Sequence, residues 1–343
     1  MSIIKKFKNK ITLDKYINLA LYNEQDGYYE KKGIFGKSGD FITSPYISSI
    51  FGEIIAVWIL DQFINKKIYN FSILEIGAGE GYLAKDILNT FEKFKNIKFK
   101  FNYVICEKSN FYKKQQKNKL YRFNIKWINN IKNFKKKNCI VLSNELIDAF
   151  PIKQLFKNNN AWYEKYVKLN SKLNKFEFVD VKIKKSHQVF KKIYPLKKLN
   201  FIEYEPDIEN FVKNISNILK FDSNNIFITF DYGYNSIDFK NTIQALYKHK
   251  NANILTNIGN VDITHLVNFY YIKKLFQLNK INNINYHTQS EFLINSGINI
   301  RLNQVIKYTK NKENQKKLYL SVERLISKNK MGELFKVLIA SKN

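Results

Sequence analysis

The chain has 343 residues, of which 45% are hydrophobic and 15% aromatic, so it carries enough apolar surface for a large core and is neither a disordered nor a collagenous chain. Its 58 Lys and Arg against 29 Asp and Glu give a net charge of +29, which ordinarily suggests a polyanionic partner. Only Arg122, Arg301 and Arg324 are arginines, however, so the guanidinium forks that read bases are almost missing and a specific nucleic-acid role is not expected. Cys106 and Cys139 cannot build a disulfide framework and read as buried free thiols of a reducing compartment. The longest apolar run, Ile54 to Leu60, is broken by Asp61, well short of the roughly 18 residues of a membrane span. The basic start, Met1 to Lys10, lacks the features of a signal or transit peptide, so the expected location is the bacterial cytoplasm, with the mitochondrial matrix as the alternative.

Residues 1–70 read as a cap. A glycine-rich stretch, Gly27 to Gly39, precedes Pro45, after which Ile47, Ile50, Phe51, Ile54, Ile55 and Trp58 recur at spacings of three and four, the mark of an amphipathic helix. From Phe71 the pattern becomes short apolar runs ending in Gly or acidic residues and alternating with helical stretches, which announces a parallel α/β sheet. The predicted strands are Ser72 to Ile76, Phe99 to Cys106, Ile125 to Ile128, Cys139 to Ser143 and Ile226 to Phe230. Residues 71–150 then form the first part of a Rossmann-like core, 151–225 an α+β insertion after the fourth strand, and 226–343 the rest of a doubly wound sheet. Within the insertion Ala161 to Leu169 and Lys175 to Ile183 alternate like a hairpin, and Asp207 to Phe221 reads as a helix. Helices near Gln289 to Ser296 and Glu313 to Ser327 and a closing strand, Glu333 to Ile339, complete the chain.

The strongest local signal is Ile73-Leu74-Glu75-Ile76-Gly77-Ala78-Gly79-Glu80-Gly81, a strand that ends in a glycine turn and opens a helix. Glycines at alternating positions let a ligand approach the backbone, and the helix start supplies free amide donors. The dinucleotide fingerprint wants GxGxxG. ExGxGxG, with Glu75 placed to serve an amino group or, through water, a carboxylate, points instead to S-adenosylmethionine (SAM). Glu107, at the end of the second strand, is placed to accept hydrogen bonds from ribose hydroxyls. Trp127 either flanks the adenine or belongs to the core.

The fourth strand runs into Asn144-Glu145-Leu146-Ile147-Asp148-Ala149-Phe150-Pro151, an amide and two carboxylates where reacting groups gather in open α/β sheets. Glu145 and Asp148 are the catalytic candidates, placed to orient a cationic or amine nucleophile behind an activated methyl group. The competing reading is a helix N-cap by Asn144 with acids favourable to the helix dipole. Asp231 and Tyr232, at the end of the fifth strand, are substrate-side candidates or an ordinary turn. No metal site is expected.

Taken in order, Gly27-Tyr28-Tyr29, Gly39-Asp40-Phe41-Ile42-Thr43-Ser44-Pro45, Phe51-Gly52-Glu53, the Leu74 to Gly81 turn, Ser143 to Pro151, Asp231 to Tyr234 and Met331-Gly332-Glu333-Leu334-Phe335-Lys336-Val337-Leu338 resemble the MidA family of class I SAM-dependent methyltransferases. The likeness runs from about residue 20 to 340. It implies symmetric dimethylation of an arginine in a protein substrate, a respiratory complex I subunit or its bacterial counterpart. The rival readings are methylation of a small molecule or of another protein side chain, and an assembly chaperone that merely retains the cofactor. The resemblance also implies that Gly39, Asp40, Thr43 and Ser44 form a loop over the cofactor, with Asn144 beside it. Two departures stand out. In a segment expected to read DLTAHVDF the chain has Asp262-Ile263-Thr264-His265-Leu266-Val267-Asn268-Phe269, which makes His265 a substrate-side candidate, and Tyr46 follows SerPro where Glu is usual.

Overall fold

The computed structural model describes residues 9–30, 43–94, 96–173, 175–184, 199–248 and 250–342. Its centre is a twisted sheet whose strands, in chain order, are β1 (Asn70–Ile76), β2 (Lys100–Cys106), β3 (Ile125–Ile128), β4 (Cys139–Asn144), β5 (Ile226–Tyr234), β6 (Asn283–Thr288) and β7 (Phe335–Ser341). In space they run β6, β7, β5, β4, β1, β2, β3. All neighbours are parallel except β7, which lies antiparallel to both β5 and β6. The order reverses at β1, so the crevice above the carboxyl ends of β1 and β4 is the topological switch point, where ligands of open α/β sheets sit.

The five expected strands and the closing strand are all present within a few residues, whereas β6 carries too much polar sequence, Asn-Ile-Asn-Tyr-His-Thr, to stand out as apolar. The interior strands are buried on both faces. One face packs Ile73, Tyr103, Ile140, Leu142, Ile228, Phe230 and Val337 against helices; the other packs Leu74, Val104, Val141, Phe227 and Leu338. Removing such Leu, Ile or Val side chains from water stabilises the fold by about 1.5–3 kcal/mol each.

Helix α1 (Leu13–Tyr22) belongs to the cap and α2 (Ser49–Ile64) to the core. The spacing predicts a one-sided helix for α2, but Ile50, Phe51, Gly52, Ile54, Ile55, Ala56, Ile59, Leu60 and Phe63 are all buried, because α2 packs within the same core against α3 (Tyr82–Phe91) and the helix at Ile298–Tyr308. Gly52 makes the α2–α3 approach possible: a Cβ there would lie 2.5 Å from Asp86 Cβ.

The insertion carries the expected hairpin, Ala161–Asn170 with Lys175–Lys182, and the expected helix, Ile208–Phe221. Its sheet also takes in Lys153–Asn158, Phe201–Tyr204 and, from the cap, Ile11–Thr12. Cap and insertion thus share one sheet and one small core of Leu13, Tyr16, Ile17, Ile152, Val167 and Ile263. The segment after β4 departs from expectation: residues 145–151 form turns and no helix, so the N-cap reading of Asn144 is overturned. Among the described residues no helix is long and apolar enough to cross a membrane, and no cluster of His, Cys, Asp and Glu is arranged to hold a metal ion.

Candidate functional site

At the end of β1 the chain must turn sharply into α3. Gly77, Gly79 and Gly81 do this at φ of 70°, 52° and 81°, the left-handed region that side chains disfavour. At Gly77 a Cβ would also come within 2.7 Å of Leu146 Cδ1. The turn lines a small cavity of about 60 Å³ together with Thr43, Pro45, Tyr46, Glu75, Ala78, Glu80, Tyr82, Leu83, Asn144 and Glu145. That is room for about two waters. The turn at Ser44–Ile47 closes it, with the rings of Tyr46 and Tyr82 4.3 Å apart.

Among the described residues three acids line this cavity and no Lys or Arg does. Glu80 is compensated by Lys119, 3.2 Å away. Glu75 is buried; Tyr103 Oη donates to its Oε2 at 2.7 Å, and burial pushes its carboxyl up to about 7. Glu145 sits at φ 49°, a strained conformation for a residue with a side chain. Its own N–H donates to Phe230 O at 2.8 Å, which holds the kink in place. Its Oε1 accepts from the Ser44 N–H at 3.1 Å and from Asn144 Nδ2 at 3.2 Å. Burial, then the charge of Asp148, push Glu145 up to about 8; the backbone N–H of Ser44, Asn144 and the more distant Arg324 pull the other way. Asn144 Oδ1 is a buried acceptor with no hydrogen-bond partner.

Beneath the Glu145–Pro151 loop the polar groups are tied to one another. Asp231 Oδ2 accepts from the N–H groups of Ile147 at 2.9 Å and Asp148 at 3.2 Å. Tyr232 Oη donates to Asp148 Oδ2, leaving Asp148 Oδ1 buried and without a hydrogen-bond partner. Burial raises Asp148 to about 6 and, with the charge of Asp148 added, holds Asp231 well above the ordinary carboxylate range. His265, a substrate-side candidate, lies between two short strands under the loop and is 3% exposed.

Glu107 lies on the other side of the glycine turn. Its Oε1 accepts from the Ser109 N–H at 3.0 Å and its Oε2 from Gln116 Nε2 at 3.1 Å; burial raises its carboxyl. The same Gln116 amide donates to Gly79 O at 2.8 Å, and its Oε1 accepts from Trp127 Nε1 at 2.9 Å. A fully buried glutamine therefore fixes the turn, the acid and the tryptophan together. Sequence reasoning passes over it, since a Gln inside the polar helix α4 (Asn110–Lys119) looks solvated. Tyr103 is missed for a similar reason: a strand tyrosine reads as core until Glu75 is seen beside it.

Of the residues expected at the site, Glu75, Gly77, Gly79, Thr43, Asn144 and Glu145 meet at the cavity, and Ser44 adds its N–H. Gly81 caps α3, and Glu107 joins through Gln116. Asp148, Asp231, Tyr232 and His265 form the layer below. Gly39 and Asp40 lie outside the described residues. The departures at 266 and 268 have local explanations: Leu266 packs on the core, and Asn268 Oδ1 caps the helix at Phe269–Leu278 by accepting from the Tyr271 N–H at 3.3 Å, a task an Asp would do equally well.

The strand order, the antiparallel last strand and the glycine turn at the switch point define a class I SAM-dependent methyltransferase. A COG1565 superfamily member from Burkholderia thailandensis, solved bound to S-adenosyl-homocysteine, superposes with a TM-score of 0.81 at 23% identity, covering 97% of this chain and 88% of that one. Among curated proteins the chain is 26% identical over 356 residues to protein arginine methyltransferase NDUFAF7, mitochondrial, of Rattus norvegicus (96% of this chain, 80% of that protein), and 28% identical over 365 residues to its Danio rerio counterpart (97% and 85%). The model of a family of SAM-dependent methyltransferases matches residues 54–286. The chain belongs to that family, MidA, and its cofactor is SAM.

Proposed function

We propose that the protein transfers methyl groups from SAM to an arginine side chain of a protein substrate, ending in symmetric dimethylarginine. The observation that carries this reading is Glu145: a buried carboxyl group, held in a strained kink beside the glycine turn, with no Lys or Arg among the described residues in contact with it. A guanidinium is the partner such a group lacks, being cationic in water and matched to carboxylates by its planar donors.

The cavity chemistry suits the cofactor. Glu75 and Glu145, which have no Lys or Arg beside them among the described residues, and the unpartnered Asn144 Oδ1 would meet a ligand that brings positive charge and N–H donors, and the glycine backbone leaves space for its methionine end. Glu107 is positioned for the ribose and Trp127 for the base. Bound SAM supplies a methyl group already activated by its sulfonium, so the protein has to align the nucleophile and remove a proton. Glu145 orients the guanidinium and takes the proton; the unpartnered oxygen of Asp148 accepts a second N–H; Asp231 and Tyr232 hold Asp148 in place. Thr43 and Ser44 would cover the cofactor.

The relatives named above as protein arginine methyltransferases support the acceptor class, and the family likeness suggests a respiratory complex I subunit or its bacterial counterpart. Those relatives are mitochondrial; for this chain we favour the cytoplasm, which cell fractionation would test. The deciding experiment incubates the protein with a cell extract and methyl-labelled SAM, then hydrolyses the labelled protein. Label in dimethylarginine is expected. Label confined to lysine, to termini or to small molecules would sink the arginine reading while leaving SAM binding untouched.

A further inference from the structure

Two buried titratable side chains next to the acid loop have no part in the transfer itself. Glu205 follows the insertion strand Phe201–Tyr204, and His265 follows the strand Asp262–Thr264. They are 5% and 3% exposed, and His265 Nε2 lies 3.6 Å from Glu205 Oε1 without a hydrogen-bond partner. The His265 backbone N–H donates to Asp148 O at 3.1 Å, and the backbone of Leu266, then of Ile147 and Phe150, favours protonation of its ring. The imidazole thus fills the underside of the loop that carries Glu145 and Asp148. We propose that His265 and Glu205 are a positioning pair that ties the insertion to this loop and sets the orientation of Asp148 toward the acceptor.

The protonation states follow from the surroundings. Glu203, Tyr234 and Tyr271 face Glu205, and among the described residues no Lys or Arg lies close enough to offset the burial of either group. Burial pushes Glu205 up to about 8 and His265 down to about 4. A charged pair would need each ion to compensate the other's lost hydration at 3.6 Å, beyond hydrogen-bond reach, and in a buried site that compensation fails. Near pH 7 both groups are therefore neutral. Nδ1 carries the proton, and Nε2 is left as an acceptor for the protonated Glu205 carboxyl once the gap closes slightly. In this state the pair braces the loop without placing a charge beside Asp148.

The inference rests on Glu145 and Asp148 being the transfer site, and the test separates the two. The full chain and its variants His265→Ala, His265→Asn, Glu205→Gln and Glu145→Gln are assayed for labelled methyl transfer into extract protein, with SAM affinity measured by calorimetry. His265→Ala should lower kcat by about 10- to 100-fold, as misplacement of a reacting group does, while SAM affinity stays unchanged. His265→Asn, whose amide can donate in its place, should recover part of that loss. Glu205→Gln should match the parent at pH 7 yet lack the fall in kcat that the parent shows above pH 8, where Glu205 ionises. Wild-type kcat in His265→Ala, or superimposable pH profiles for Glu205→Gln and the parent, overturns the pair. Should His265→Ala fail to fold, the Glu205→Gln profile decides alone. Undiminished transfer by Glu145→Gln would instead remove the site reading beneath it.

Discussion

Glu53 and Glu145 are both half of a motif that the sequence marks as significant, Phe51-Gly52-Glu53 and Asn144-Glu145, and the structure sets them to opposite tasks. Burial alone would push Glu53 up, but Arg301 at 2.6 Å and Lys93 at 3.1 Å outweigh it and hold the carboxyl below its ordinary range. Its neighbours do packing work: Phe51 meets Phe230 edge-on at 5.3 Å, and Gly52 lets α3 approach. Glu145 has amide donors on one oxygen, no Lys or Arg among the described residues in contact, and a backbone conformation that costs on the order of 1–3 kcal/mol. The lesson is that a recurrent acid beside a helix or strand end says little by itself. Whether its charge is answered inside the protein separates a structural acid from one waiting for a ligand.

The largest effect expected from breaking this contrast is on chemistry. Glu145→Gln keeps the shape and the hydrogen bonds but removes the base, so transfer should fall by about 100-fold or more, read from initial rates at saturating SAM. Stability should move the other way. A carboxyl raised to about 8 in the folded chain holds a proton that the unfolded chain has released above the ordinary pKa near 4.5. Its contribution therefore declines as pH rises from about 4.5 to 8. The Gln variant should lose that part of the pH dependence of Tm; an unchanged slope would mean that Glu145 is solvated and the contrast with Glu53 is false.

Next in size is Gly52→Val. The contact it meets is Asp86 Cβ at 2.5 Å, the root of a side chain, so α2 and α3 must separate. Overpacking of this kind costs about 2 kcal/mol, more than the helix propensity gained on replacing Gly. Denaturant melts should show the loss, and kcat of the folded fraction should be nearly that of the parent. Glu53→Gln is milder. Its partners are partly exposed, and Lys93 is 58% exposed, so about 0.5–1 kcal/mol is expected, falling with added salt. A loss of transfer as large as that of Glu145→Gln would merge the two regions.

How far the sequence displays this division depends on the distance over which each cause acts. The strands and the glycine turn are local: apolar runs fit a sheet buried on both faces, and alternating glycines answer a turn with positive φ. The site residues Glu75, Gly77, Gly79, Asn144 and Glu145 share a cavity because β1 and β4 are neighbours at the switch point, which the α/β alternation alone suggests. Gln116 and Tyr103 were not visible, since each is defined by a partner on another strand or helix. The small strands that join cap and insertion, Ile11–Thr12, Lys153–Asn158 and Phe201–Tyr204, are too short or too polar for periodicity to mark. The helix that the competing reading starts at Asn144 does not form: the chain kinks at Glu145 with φ 49°, and Asp231 and Phe230, more than eighty residues on, hold the loop by accepting from the N–H groups of Ile147, Asp148 and Glu145.

Asn268 gives the smallest and sharpest test of the distinction. It replaces an Asp expected from the family pattern, and its side chain is already engaged within the scaffold. Its Oδ1 caps a ten-residue helix, and an Asp oxygen would accept from the same Tyr271 N–H. Asn268→Asp should therefore alter stability by only about 0.5 kcal/mol, because Asn and Asp cap almost equally well. The added charge favours the helix start, while the buried acids below oppose it. The relative rates on labelled extract proteins should keep the same pattern. A shift of label to different proteins, with Tm unchanged, would place residue 268 among the groups that choose the acceptor and would move the border between scaffold and site one helix outward.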